Sequence, residues 1–267
     1  MDVTRAKSLP HGRGSDGQVP YLNVGCGKHF HPAWTNLDLQ ARPRVIQHDL
    51  RTRLPFPEGR FEAVYHSHVL EHLPRADGLR LLQECARVLR PKGIIRVAVP
   101  DLEAIARLYI KYLDEASQGD PQAAAAYDWI VLELLDQMVR TRSGGEMLAY
   151  WKQRAMPAEE LVVERVGSEL LNFLAQERSH PSPASDPAPP SDKELLAFVK
   201  SGELHKWMYD RFSLGRLVTQ AGFVEVRQCS AIESAIPRFR EYLLDETPHG
   251  KVRKPDSLFM EARKPGP

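Results

Sequence analysis

Three cysteines, Cys26, Cys85 and Cys229, are too few and too scattered to form a disulfide framework. A reducing, cytoplasmic setting is therefore expected. No apolar run approaches the ~20 residues of a membrane span, so no membrane partner is expected. Residues 1–18 are polar and glycine-containing. They lack the apolar core of an export signal and read as a flexible lead-in. Charge of one sign is also lacking: 36 Lys and Arg face 35 Asp and Glu, for a net charge of +1. That balance gives no electrostatic case for a nucleic-acid partner or an anionic membrane surface. Finally, there is no Walker pattern, and the third glycine of the dinucleotide fingerprint is missing.

What is present begins at Tyr21 with YLNVGCGKHFHPAWTNLDL. A strand-like run ends in Gly25-Cys26-Gly27. Glycines here permit a tight turn and let a ligand approach the backbone, and a helix N-terminus is expected to follow with free N–H groups. The text continues as Lys28, His29, Phe30, His31 and Pro32, which makes no pyrophosphate cradle. The implied ligand is a nucleoside without a phosphate chain. Asp38 and Leu39 close the second strand, where a carboxylate can take both ribose hydroxyls. Asp49 and Leu50 close the third, where one side chain meets the adenine amino group and the other packs on the ring. His66 and Ser67 close the fourth. All lie at carboxyl ends of strands, where doubly wound sheets bind ligands.

Strands are expected at 19–24, 35–39, 45–48, 63–67 and 94–99. Between the last two, Leu79, Leu82, Ala86 and Leu89 recur at helical spacing, with Pro91 and Gly93 as the stop. This alternation predicts an α/β, doubly wound parallel sheet. From Leu102 to about Arg178 the pattern is helical only. Asp101 and Asp120-Pro121 are helix starts, and Pro157 is expected to open a third helix. The segment 180–192 carries five prolines and reads as an extended loop. Ser213 is expected to cap a helix ending at Gly222, before strands at 223–228 and 257–262. The organisation is then a lead-in (1–18), a core (19–100 and 206–267) and a helical insertion or lid (101–205).

The stretch YLNVGCG…NLDL…HDL…LPFPEGRFEAVYHSHVLEHL…ECARVLRPKGIIRVAVPDLE resembles class I S-adenosylmethionine-dependent methyltransferases from residue 19 to about 112. It is similar to a bacterial group of predicted methyltransferases with a helical insertion. The C-terminal HKWMYDRFSLGRLVTQAGF…SAIPRF…RKPDSLFMEARK also resembles that group. The resemblance implies a Rossmann-like, seven-stranded sheet with an antiparallel last strand and S-adenosylmethionine as cofactor. The cofactor would lie over Gly25, Cys26 and Gly27 and against Leu39, with its ribose on Asp38 and its adenine near Asp49 and Leu50. Its methionine part would lie near Asn23, His66 and Ser67. The superfamily usually has an Asp at Asn23 and often a third glycine near His29. Asn23 keeps hydrogen-bonding capacity without the charge.

Methyl transfer needs an acceptor held in line and, for oxygen or nitrogen, a base. His68 and His205 are the catalytic candidates. His68-x-x-Glu71-His72 resembles the E-x-x-E-H metal set of some magnesium-dependent O-methyltransferases, with His in place of the first Glu. Magnesium prefers oxygen ligands, so no metal is expected. Glu71 and His72 are read as orienting the helix while His68 faces the pocket. His29 and His31, beside Phe30, are expected to form a lid. Trp207, Tyr209 and Asp210 wall the acceptor pocket or pack at the junction. Tyr109, Tyr112, Tyr127, Trp129, Tyr150 and Trp151 form the insertion core or a homodimer face.

The expected activity is methylation of a small-molecule or glycan acceptor at oxygen or nitrogen, with no nucleic-acid partner. The alternatives are a nucleic-acid methyltransferase and a silent binding module. The first wants a basic face or an Asn/Asp-Pro-Pro-aromatic strand end, where this chain has HSHV. The second is left open by Asn23.

Overall fold

Val24, Leu22 and their neighbours explain the first strand of the sheet: alternate residues bury against opposite layers, as a strand covered on both faces requires. The computed structural model describes residues 20–179 and 188–266, with the side chains of 178 and 179 left aside. The lead-in expected at 1–18 and most of the proline-rich segment expected at 180–192 lie outside the described residues. Five strands come first: β1 (Tyr21–Val24), β2 (Thr35–Asp38), β3 (Ile46–Gln47), β4 (Phe61–Ser67) and β5 (Leu89–Pro100), with α1 (Arg75–Val88) between β4 and β5. Six helices follow: α2 (Leu102–Ser117), α3 (Pro121–Val139), α4 (Gly145–Trp151), α5 (Glu159–Val166), α6 (Ser168–Ser179) and α7 (Asp192–Lys200). Then come α8 (Arg211–Gln220), β6 (Val224–Cys229) and β7 (Ser257–Arg263).

The sheet has seven strands in the order β3-β2-β1-β4-β5-β7-β6. The first five pair in parallel, and β7 runs antiparallel to both β5 and β6. The seven-stranded sheet with its antiparallel last strand is therefore as the sequence implies. No helix of the described residues is long and apolar enough to cross a membrane.

The two faces of this sheet are covered differently. Leu22, Val64, Ile95, Val97 and Met260 pack with Leu81, Cys85, Leu214 and Val218, so α1 and α8 cover one face. On the other, Tyr21, Tyr65 and Ile94 meet Trp34, Ile236, Phe239 and Leu244, which come from loops and a short 3-10 turn, Phe239–Tyr242. Arg96 lies on this second face, fully buried. It donates to Asp245 (2.8 Å) and Glu261 (3.0 Å) and to three loop carbonyls, and its guanidinium sits over the rings of Phe239 and Phe259. One cation thus ties the loop layer to β5 and β7. Its charge is compensated by two carboxylates, the condition for burying it.

Several local readings are corrected. No helix follows the glycine turn. Residues 28–34 form turns, with Trp34 N–H bonded to the His31 carbonyl at 3.0 Å, and Pro32 has no N–H to give a ladder. The loop layer occupies that face instead. α1 ends at Val88, ahead of Pro91 and Gly93, because Leu89 is already extended and pairs with Phe61. α8 is capped by Asp210, not Ser213: the Asp210 carboxylate accepts from Phe212 and Ser213 N–H, and Ser213 returns the bond as the other half of a capping box. Pro157 does not open a helix. Ala158, in the left-handed region at φ 50°, precedes α5. Asp101 and Asp120 do cap α2 and α3, with Pro121 at the first helical turn.

Helices α2–α6 enclose a separate apolar cluster of Ile105, Trp129, Ile130, Met147, Tyr150 and Val162, with Tyr109, Tyr112 and Trp151 against it. The chain between β5 and α8 thus has a core of its own. It sits beyond the carboxyl ends of β4 and β5, where Leu102 N–H bonds the Tyr209 carbonyl.

Candidate active site

Two left-handed glycines build the first wall. Gly25 (φ 65°) and Gly27 (φ 55°) turn the chain off β1, and a Cβ on Gly25 would lie 2.4 Å from Val69 Cγ2. The close approach, as well as the dihedral, therefore requires glycine. The turn is latched to β2. Cys26 N–H donates to the Leu37 carbonyl (2.9 Å), and Gly27 N–H to Asp38 Oδ2 (2.8 Å). Gln40 N–H holds Asp38 Oδ1 (2.9 Å), and Arg42 Nη1 donates to the Gly27 carbonyl (2.9 Å). The carboxylate is held in one orientation at the strand end.

Beside this turn lies a cavity of about 390 Å³ lined by Gly25, Asp38, Leu39, Asp49, Leu50, His68 and Val69, among others. That volume is in the range of small-molecule sites, ~300–1,000 Å³. Its far wall is Val199, Lys200, Ser201, Gly202 and Lys206, at and after the end of α7. Asp49 accepts from Arg51 Nε (3.0 Å) and Nη2 (2.7 Å), and this bonding pulls its carboxyl down to about 2.

The remaining strand-end candidates sit elsewhere. Asn23 is buried and donates from Nδ2 to Asn36 Oδ1 at 3.3 Å, joining β1 to β2. The Cys26 thiol is buried, which pushes it up to about 11. Ser67 is half-buried, and neither it nor Asn23 or Cys26 lines the cavity. His66 is fully buried with neither ring nitrogen bonded, and burial pushes it down to about 4. Strand alternation sends it, like Val64, toward the helix-covered face and away from the cleft. His29 and His31 line neither cavity. His31 Nδ1 accepts from Ala33 N–H and its ring packs on Tyr242. Residues 199–206, not this loop, close the cleft.

A second cavity, of about 330 Å³, lies between the sheet and α3–α6. Pro100, Glu133, Gln137, Arg140, Met147, Trp151, Glu203, Lys254 and Asp256 line it, together with His68 and His72. Its charged walls are paired. Glu133 accepts from Arg165 Nε (3.1 Å) and from Trp129 Nε1 (3.1 Å). Arg140 meets Asp136 at 3.0 Å and Glu203 at 3.1 Å. Burial pushes the Glu133 carboxyl up, against the pull of Arg165. Sequence reasoning missed these residues. One signal was available: Glu133, Gln137 and Arg140 fall at i, i+4 and i+7, one face of α3 and its C-terminal cap.

His68 and His72 line both cavities. His68 adopts φ 53°, anchored by its N–H to the Ala98 carbonyl (2.9 Å). Its Nε2 is 2.8 Å from Ser257 Oγ and its Nδ1 is 3.2 Å from Glu71 Oε1. His72 Nδ1 is 3.3 Å from the Leu204 carbonyl. His205 lies behind it, ring centroids 4.8 Å apart, buried and lining neither cavity. Its Nε2 meets Gln137 Nε2 at 3.0 Å, and burial pushes it down to about 3. Tyr209 is buried in the main core, and Trp207 stacks under Arg75.

Comparison with known proteins covers the glycine-turn half of this site. Residues 22–97 match the sequence profile of a family described as "Methyltransferase domain". A protein of Mycolicibacterium smegmatis, described as a probable S-adenosylmethionine-dependent methyltransferase, is 40% identical over 60 residues, 22% of this chain and 23% of that one. A Mycobacterium tuberculosis protein of the same description is 40% identical over 60 residues, 22% of this chain and 21% of that one. The chain thus spans under a quarter of the length of these curated relatives. A crystal structure of a SAM-dependent methyltransferase from Archaeoglobus fulgidus superposes with a TM-score of 0.39 at 12% identity, covering 91% of this chain and 85% of that one. At that score the superposition carries no weight for function. Over residues 22–97 this chain is thus similar to methyltransferase domains, and over 60 residues to probable S-adenosylmethionine-dependent methyltransferases.

Proposed function

We propose that this chain transfers a methyl group from S-adenosylmethionine to an oxygen or nitrogen of a small-molecule or sugar acceptor. The observation that carries the reading is the placing of His68, which lines both the glycine-turn cleft and the second cavity. A transferase of this kind needs two compartments that meet at the reacting atoms.

The cleft fits the cofactor. It offers a backbone wall without a Cβ at Gly25, a fixed carboxylate at Asp38 and an apolar side chain at Leu50. Bound there, S-adenosylmethionine would supply a methyl group already activated by its sulfonium. The residues of the chain then have three tasks. Asp38 accepts from the ribose hydroxyls, and Leu50 packs on the base. Val199–Gly202 and Lys206 exclude water from above. His68 takes the proton released by the acceptor. With the proton on Nδ1, which stands 3.2 Å from Glu71 within ion-pair distance, the lone pair of Nε2 is on the side of Ser257, whose hydroxyl is 2.8 Å away. The acceptor's proton would pass to Nε2, the acceptor taking the place of Ser257 as its partner. Proton removal of this kind contributes ~10²–10⁴-fold.

A polar acceptor is favoured by the walls of the second cavity. Arg140, Glu203, Lys254 and Asp256 offer donors and acceptors, and Trp151 offers a flat face for a sugar or aromatic ring. The test is a screen of hydroxylated and amino acceptors with methyl-labelled cofactor, after calorimetry with S-adenosylhomocysteine. Binding of the product with label transferred to such an acceptor is expected. Transfer only to nucleic acid would contradict the acceptor class.

A further inference from the structure

We propose that Glu71, His72 and His205 form a site for one divalent transition-metal ion of borderline softness, zinc being the type. This goes beyond the methyl-transfer reading and is measured without turnover. One ligand atom from each of the three residues lies within 4.8 Å of the others. Ligand atoms on a tetrahedral ion with bonds of ~2.0–2.2 Å stand roughly 3.3–3.6 Å apart, so the three must draw in by about an ångström, within reach of side-chain rotation.

Glu71 supplies the second, independent observation. Its side chain is fully buried, and neither carboxylate oxygen makes a hydrogen bond. The nearest group, His68 Nδ1 at 3.2 Å, lies within ion-pair distance but without hydrogen-bond alignment. A buried carboxylate without hydrogen bonds is costly. No arginine or lysine is paired with it among the described residues. A bound dication would resolve that cost.

The ligand types select the metal. Two imidazoles and one carboxylate suit zinc, cobalt or nickel, and poorly suit magnesium or calcium, which want oxygen. His72 also carries the outer contact that fixes ring orientation in metal sites, its Nδ1 facing the Leu204 carbonyl. His205 Nε2 faces the Gln137 amide nitrogen, and gains the same contact when that amide turns to present its oxygen. No metal is expected from His68, Glu71 and His72 alone; the set that converges takes His205 in place of His68. The third ligand arrives from the far end of the insertion.

The backbone shows what the ion would do. Lys206 and Trp207 N–H both donate to the Glu71 carbonyl, at 2.6 and 3.2 Å, and His205 N–H donates to the Gln137 carbonyl. The site therefore clamps three pieces: the turn after β4, helix α3 and the segment returning from α7. With one Glu71 oxygen on the metal, the other still faces His68.

The test uses the full chain, treated with a chelator and titrated with Co²⁺. The expected result is one equivalent bound per chain with a visible d–d absorption band, lost on adding Zn²⁺, and a raised melting temperature with either ion. His205→Gln and His72→Gln should each weaken Co²⁺ binding by at least ~10–100-fold, the loss known even for outer-shell partners. Circular dichroism establishes that each variant is folded. If one is not, the other serves. The absence of a saturable band in the chelator-treated wild-type chain would overturn the site, and so would an unchanged band in either folded variant.

Discussion

The two cavities that meet at His68 are built by opposite means. The glycine-turn cleft is a backbone construction: two left-handed glycines, N–H groups latched to Asp38 and strand ends in fixed register. The insertion cavity is a side-chain construction: Glu133, Arg165, Asp136, Arg140 and Glu203 drawn from separate segments and paired in a mostly buried setting. Backbone recognition tolerates change in neighbouring side chains, because a ligand held in that way meets peptide groups and few side chains. Side-chain recognition depends on mutual charge compensation, so a single substitution strands a partner. The first design suits an invariant ligand; the second suits a ligand that differs among otherwise similar proteins.

The largest expected effect lies where the cavities join. His68→Ala should lower turnover by ~10²–10⁴-fold, while affinity for S-adenosylhomocysteine stays within about twofold of the unmodified chain. Assay of both quantities on one preparation separates a proton acceptor from a cofactor contact. Unchanged turnover would move the proton elsewhere.

Next come the insertion ion pairs. Arg165→Met leaves Glu133 buried and uncompensated, and should cost about 3–5 kcal/mol of stability. Chemical denaturation measures that loss. Affinity for S-adenosylhomocysteine in the folded fraction should not move, because neither residue lines the cleft. A parallel loss of affinity would mean that the two constructions are not separable.

Asp38→Ala makes the converse test. It should weaken S-adenosylhomocysteine by about 1.5–3 kcal/mol, the range for hydrogen bonds to a charged group. Stability should change less, because Asp38 bonds the half-buried N–H of Gly27 and the exposed N–H of Gln40 and makes one half-exposed ion pair with Arg42 at 3.6 Å. Calorimetry beside a thermal melt reads both.

The smallest effect is one of pH. His66 is neutral in the fold, burial holding it down to about 4 against an ordinary value of 6.5. Between those values the unfolded chain binds the extra proton. The His66 contribution is therefore complete above about pH 6.5 and falls by on the order of 1 kcal/mol per pH unit toward pH 4, with His205, held down to about 3, adding a loss over the same range. His66→Gln should flatten that slope in denaturation curves collected across the range. A slope unchanged in the variant would assign the loss to other groups.

The difference between the two cavities also explains what could be read from the sequence. The glycine turn, Asp38, Asp49 and Leu50 were legible because their signals are local: each stands at the end of its own strand. The antiparallel last strand followed from the resemblance. His66 misled because strand alternation, not position at a strand end, decides which way a side chain points. The helix expected after Gly27 is missing because the loop carrying Ile236, Phe239 and Leu244 covers that face, and no local signal announces a partner so distant in sequence. Arg96, Asp245 and Glu261 were invisible for the same reason. The second cavity was hidden because Glu133 meets Arg165, and His68 meets Ser257, only after the insertion has folded back on the sheet. Ser213 was mistaken for a cap because capping boxes contain two plausible cap residues, and only the geometry shows which begins the helix.

The central claim is that the glycine-turn cleft holds the S-adenosyl group by backbone contacts and Asp38. Isothermal titration of the chain with S-adenosylhomocysteine, repeated on Gly25→Val, tests it most directly. The account predicts saturable one-site binding to the unmodified chain. The folded variant should bind nothing, since even a Cβ at Gly25 would meet Val69 at 2.4 Å. No heat and no thermal shift at millimolar ligand for the unmodified chain, or equal binding by the folded variant, would contradict it.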